Sequence, residues 1–135
     1  MRSSSFLRSL VELIGIAALP SPARAVATAV PRATVLQHSP VAGFQYHDGE
    51  TVWPMLRIGD ALQLVREPHN PVDTKAVKIE WEGYKLGYVT RVENHAISQL
   101  LDRGETVTAR IAGLKESHDP WRRVQFEALL VAGQR

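Results

Sequence analysis

Ala76-Val77-Lys78-Ile79-Glu80-Trp81-Glu82-Gly83-Tyr84-Lys85-Leu86-Gly87-Tyr88-Val89 decides the fold. Apolar and polar residues alternate on both sides of Glu82-Gly83. Period two is the signature of strands with one buried face, and a glycine-containing pair between two such runs predicts a β-hairpin. Outward from this hairpin the same period recurs. Thr34-Val35-Leu36 and Val41 to Tyr46 read as strand, interrupted at Ser39-Pro40. Ala61 to Arg66 follows the turn at Gly59-Asp60, with Leu62 and Leu64 on one face. Thr106 to Leu114 and Arg123 to Val131 are two more strands, joined by a polar loop through Ser117, Asp119 and Pro120. Pro54 limits the Trp53 region to a loop or edge position.

One segment changes period. Val92, Ala96, Ile97, Leu100 and Leu101 fall at helical spacing, and Gly104 is placed to stop the helix. Short strands with a single inserted helix predict a mostly β fold, a small OB/SH3-like barrel of about six strands.

Composition sets the outer limits. The chain has 135 residues, of which 44% are hydrophobic and 22% charged, with a formal net charge of +2. These are the proportions of one ordinary globular domain and not of a disordered chain, a collagen or a coiled coil. Zero cysteines exclude a disulfide framework and thiolate zinc sites. No apolar run reaches the length of about 18 residues that predicts a membrane-spanning helix.

The charge is unevenly placed. Residues 1–40 carry Arg2, Arg8, Arg24 and Arg32 against Glu12, whereas residues 41–135 carry 12 basic and 13 acidic side chains. A domain that holds nucleic acid by bulk charge would show its basic excess on the body. Any nucleic-acid contact here is expected to be local and geometric.

Residues 1–31 read as a leader. Arg2 and Arg8 precede the short apolar stretch Leu13–Leu19, and Ala23-Arg24-Ala25 fits a small-x-small cleavage site. Residues 1–25 are thus a candidate secretory signal, and the expected body is residues 32–135. Cleavage after Ala25 would leave a neutral chain in the periplasm. An uncleaved leader would leave the protein in the cytoplasm.

Catalytic patterns are weak. No G-x-S-x-G elbow and no glycine-rich phosphate loop occurs. His47, His69 and Asp73 lack the paired spacing that zinc ligands show, so no metal and no cofactor is expected. The dense stretch is Arg66-Glu67-Pro68-His69-Asn70-Pro71-Val72-Asp73. Two prolines stiffen this loop, and Asn70 and Asp73 either present acceptors to a ligand or cap the loop's own amides.

These residues carry a resemblance. Val41–Tyr46, the string Arg66-Glu67-Pro68-x-Asn70-Pro71-x-Asp73, then Ala76-Val77-Lys78-Ile79 and Lys85-Leu86-Gly87-Tyr88-Val89-Thr90-Arg91, resemble the HIRAN domain from about Val35 to Val131. The resemblance implies an OB-like β barrel that binds DNA without catalysis. In eukaryotes the domain is fused to remodelling ATPases acting at stalled forks, where it captures the 3′-hydroxyl end of single-stranded DNA. Bacteria also carry it as a small stand-alone protein, the form expected here.

Transferred residue by residue, the resemblance implies that Tyr46 stacks on a terminal base. It makes Asn70 a polar contact to that nucleotide, and Asp73 the acceptor for the 3′-hydroxyl. Arg91 would face a phosphate. Arg66 opens the motif and is expected either on DNA or paired with Asp73 or Glu67. His69 stands where asparagine is common and would substitute by stacking or donating. Val72 stands where DNA-binding members often place a second aromatic, and Gln45 where they place a base. Loss of one ring and one cation removes roughly 2–4 kcal/mol of affinity. Trp121, beside Arg122 and Arg123, is a further candidate exposed ring, whereas Trp53 and Trp81 are expected to pack. The alternative occupant of the same groove in an exported protein is a peptide, a glycan or an envelope component.

Overall fold

The computed structural model describes residues 32–132; the leader and its candidate cleavage site lie outside the described residues. Six strands form one antiparallel sheet. They are β1 (Arg32–Pro40), β2 (Ala61–Arg66), β3 (Val77–Trp81), β4 (Tyr84–Tyr88), β5 (Val107–Leu114) and β6 (Val124–Ala132). Their spatial order is β1-β6-β5-β2-β3-β4. A short helix α1 (Gly49–Val52) follows β1, and α2 (Asn94–Asp102) lies between β4 and β5. The mostly β, OB-like fold expected from the strand pattern is the fold observed.

The hairpin is where the period-two pattern places it. Val77 pairs with the end of β2, and Trp81 pairs with Tyr84 across the turn. Glu82 and Gly83 both have positive φ, 45° and 84°. Two consecutive left-handed residues match the right-handed twist of the flanking strands, which is why a glycine follows the acid. Register slips between Val35 and Gln37, Ile79 and Glu80, and Ile111 and Gly113 bend the sheet. The curled inner face buries Ile79, Leu86, Ile111 and Phe126 at 0–1% exposure, with Ile97 of α2 packed among them.

Closure differs from the expected barrel. The edge strands β1 and β4 share no continuous ladder. They meet through Ala42, two residues beyond β1, whose N–H and C=O exchange bonds of 2.9 Å with Tyr88. Gly87 is required beside this bridge, because a Cβ there would lie 2.2 Å from the Ala42 carbonyl oxygen.

Two local expectations are corrected and one is made specific. Val41 to Tyr46 is not a strand. Gly43, at φ 74°, turns the chain into a 3₁₀ turn over Phe44–Tyr46. That turn drives Phe44 into the core, at 0% exposure, directly against Gly49. Trp53-Pro54, expected in a loop or at an edge, forms a second 3₁₀ turn, Trp53–Met55, continuing α1. Proline is compatible there because the first positions of a helix need no N–H. Val92 has the helical period but precedes α2 and is 92% exposed. A turn closed by Glu93 N–H on the Thr90 carbonyl, at 3.0 Å, holds it outside. Gly104, at φ 82°, ends α2 as expected.

Candidate nucleic-acid interface

The loop between β2 and β3 is built by its own polar groups. Its mouth is closed by Glu67 N–H on the Ala76 carbonyl, at 3.0 Å. The Asn70 side-chain oxygen accepts from Val72 N–H at 2.8 Å and Asp73 N–H at 3.1 Å, while its amide nitrogen donates to Glu67 Oε1 at 3.0 Å. Asn70 is thus the loop's internal cap, and its oxygen serves structure. Glu67 Oε1 also accepts from the Tyr88 hydroxyl at 2.7 Å, and Lys85 Nζ lies 2.7 Å from the same hydroxyl. This network fastens the loop to β4.

Beside the loop runs a groove of about 540 Å³ between the 42–47 turn, the 70–76 loop, the end of β4 and the start of α2. Five of the seven residues singled out from the sequence border it: Tyr46, Asn70, Val72, Asp73 and Arg91. The Tyr46 ring stands on the rim at 77% exposure and Val72 at 74%. Ala42, Ala76 and Val89 supply an apolar floor.

Asp73 is an anchored carboxylate in the groove. Its Oδ1 accepts from Lys75 N–H at 2.9 Å, and its Oδ2 accepts from Asn94 Nδ2 at 2.8 Å. Arg91 Nε is 3.7 Å from Oδ2 and remains largely exposed. The Lys75 amide first, then Asn94, and more weakly the Arg91 charge, hold the Asp73 carboxyl below its ordinary pKa against the opposing effect of desolvation. An ionised carboxylate is an acceptor only. It receives a hydroxyl hydrogen and repels a phosphate.

Arg66 and His69 are not part of the groove lining. Arg66 is held by Asp102 of α2 through bonds of 2.9 and 3.2 Å, and its Nη1 donates to the Ala76 carbonyl at 2.9 Å. Its partner is therefore neither Asp73 nor Glu67 but a carboxylate 36 residues away. His69 is exposed in the loop.

Three groove residues carry roles that sequence reasoning missed: His47, Tyr88 and Asn94. The His47 ring meets Tyr88 edge-on with centroids 5.7 Å apart. Burial, then Lys85, lower the His47 pKa, with Asp48 and Glu67 opposing, and so favour the neutral ring. The Gly87-Tyr88 pair at the hairpin's end was the available clue to Tyr88. Asn94 is buried at 2% exposure, and nothing in its local sequence separates it from an ordinary helix-start asparagine.

Tyr46 also borders a smaller recess of about 220 Å³ with Gln45, Pro120 and Trp121, whose ring is 51% exposed. Arg122 is exposed near Asp119. Arg123 faces the opposite way. It pairs with Glu50 and lies 4.4 Å over the Trp53 ring. Trp81 is 7% exposed and donates to Asp60 at 2.9 Å. Among the described residues no three His, Cys, Asp or Glu side chains gather as metal ligands, and no helix is long and apolar enough to cross a membrane.

Comparison with known proteins agrees with this architecture. A crystal structure of a protein from Lactobacillus plantarum superposes with a TM-score of 0.65 at 25% identity, covering 76% of this chain and 98% of that one. The HIRAN domain of human HLTF superposes with a TM-score of 0.58 at 16% identity, covering 73% of this chain and 78% of that one. No curated protein matches in sequence. The HIRAN domain profile matches residues 35–132, which hold the whole groove. The chain belongs to the HIRAN domain family.

Proposed function

We propose that this protein is a non-enzymatic binding module for the 3′-hydroxyl end of single-stranded DNA. The observation that carries the reading is the pairing, in one groove, of an exposed aromatic rim with an anchored carboxylate, Tyr46 and Asp73. A terminal base stacks on Tyr46, an interaction available to every base and therefore indifferent to sequence. The 3′-hydroxyl donates to Asp73, while Arg91 meets the phosphate one nucleotide inward and positions it without reading sequence. Asn70 supports this end by shaping the loop. The near-neutral body requires that recognition come from geometry at the end and not from a long electrostatic track. On this reading the protein serves DNA-end handling of the repair or stalled-fork type.

The test is a titration of three oligonucleotides that differ only at the 3′ end: hydroxyl, hydrogen and phosphate. The hydroxyl form is expected to bind tightest and the phosphate form weakest, with roughly tenfold or more between the extremes. Asp73→Asn is expected to compress that series, because an amide also donates and no longer repels. Equal affinity for all three ends would refute the reading. No binding to any of them would favour a peptide, glycan or envelope ligand on the apolar floor.

A further inference from the structure

Asn94 is the first residue of α2, is almost fully buried, and still borders the groove. Its amide nitrogen reaches Asp73 Oδ2 at 2.8 Å from a different element of the fold. The Lys75 amide holds the other carboxylate oxygen at 2.9 Å. Two donors on two oxygens fix the plane of the carboxylate. Both donors are uncharged, so the carboxylate keeps its full negative charge toward the groove. Two cations act on it, Arg91 and Lys75, and the Arg91 guanidinium stands at 3.7 Å, outside hydrogen-bond distance.

We infer that Asn94 is a positioning residue for end selectivity: it holds the Asp73 carboxylate open to a hydroxyl donor and away from a direct pair with Arg91. The inference rests on the end-capture reading above. An amide at this place donates and adds no charge, the combination that lets Asp73 both accept from a hydroxyl and repel a phosphate. Without the Asn94 donor, Oδ2 turns to the exposed guanidinium of Arg91. The pair then partly cancels the charge and covers the lone pairs that the ligand needs. The 3′-hydroxyl is recognised less well, and a 3′-phosphate is tolerated better.

The experiment measures the affinity ratio of 3′-hydroxyl to 3′-phosphate oligonucleotides for the full chain and four variants. Asn94→Ala is expected to lower the ratio by roughly tenfold. Ser98→Ala, which removes another buried polar group of α2 bonded only to the His95 carbonyl, is expected to leave it unchanged. Asn94→Asp separates positioning from stability should Asn94→Ala not fold. At neutral pH its two adjacent carboxylates repel and selectivity is lost. As pH falls, the close pair takes up one shared proton, which restores one hydrogen between the two groups and one net negative charge. The 3′-phosphate itself gains a proton at about pH 6, so the ratio in Asn94→Asp is read against wild type at each pH and is expected to approach the wild-type value on acidification. The other charged and titratable groups at this pair are Lys75 and Arg91, with His47 in the same groove. Asp73→Asn reports on the underlying reading. A ratio unaffected by Asp73→Asn removes end capture itself. A ratio lost in Asp73→Asn but intact in Asn94→Ala, or an Asn94→Asp ratio that does not approach wild type on acidification, overturns the role of Asn94 alone.

Discussion

Truncating Tyr46 is expected to separate affinity from stability. The ring is 77% exposed on the groove rim and contributes little to the core, so Tyr46→Ala is expected to change unfolding free energy by no more than about 0.5 kcal/mol. If a terminal base stacks on it, the same change removes about 1–3 kcal/mol of binding, which is roughly a 5- to 150-fold rise in Kd. Tyr46→Phe keeps the π face and is expected to bind within about twofold of wild type. The opposite case is Trp81, which is 7% exposed with its indole nitrogen on Asp60. Trp81→Ala is expected to cost about 3–5 kcal/mol of stability, while the molecules still folded bind normally. The assays are fluorescence anisotropy with a 3′-hydroxyl oligonucleotide labelled at its 5′ end, and urea unfolding of the same preparations. Wild-type affinity in Tyr46→Ala would refute the placement of the base. A large loss of stability in that variant would show that the ring belongs to the core.

Two arginines that look alike in the sequence are expected to part company. Arg91→Ala weakens binding and flattens the dependence of log K on log salt by about 0.7, the share of one single-strand phosphate contact. Arg66→Ala lowers the urea midpoint by removing the link to Asp102 and leaves the salt slope unchanged. Gly87→Ala forces a Cβ to 2.2 Å from the Ala42 carbonyl. It is expected to cost about 1–3 kcal/mol and to abolish binding by opening the groove wall, measured by urea unfolding and anisotropy together. Glu67 carries a pH prediction. Burial raises its pKa, but bonds from Tyr88 and Asn70 and the charges of Lys85 and Lys78 outweigh this, so the net shift is downward. A carboxyl depressed in the folded state adds stability above its unfolded pKa and loses it as pH falls through the folded one. Glu67→Gln is therefore expected to be less stable than wild type at pH 7 and to converge with it as pH falls below the ordinary carboxylate range.

Much of the candidate site was legible because it lies in one continuous stretch. The Arg66–Asp73 string is a loop between two strands with turn-forming residues at fixed offsets, and turn chemistry is local. Its neighbours Tyr46 and Arg91 were reached through the family resemblance and not through spacing. The Val41–Tyr46 segment was misread as strand because its apolar residues suit a strand period. The residue that breaks it, Gly43, has its effect through a left-handed φ of 74° that composition does not reveal. Val92 was misread for the converse reason: a helical period continues past the real start of α2, where a turn cancels it.

By itself the sequence determined the alternation of strands, the hairpin at Glu82-Gly83, the helix α2 ended by Gly104, and the polar loop that walls the groove. Each depends on interactions within a few residues, where side-chain period and backbone preference act directly. The tertiary structure alone decided the partners. It joined β1 to β4 through the Ala42–Tyr88 bridge, gave Arg66 to Asp102, turned Arg123 inward onto Trp53, and brought Asn94 to Asp73 across 21 residues. Those pairings follow from how a bent sheet and one helix share a core, a constraint of packing that no short window of sequence contains.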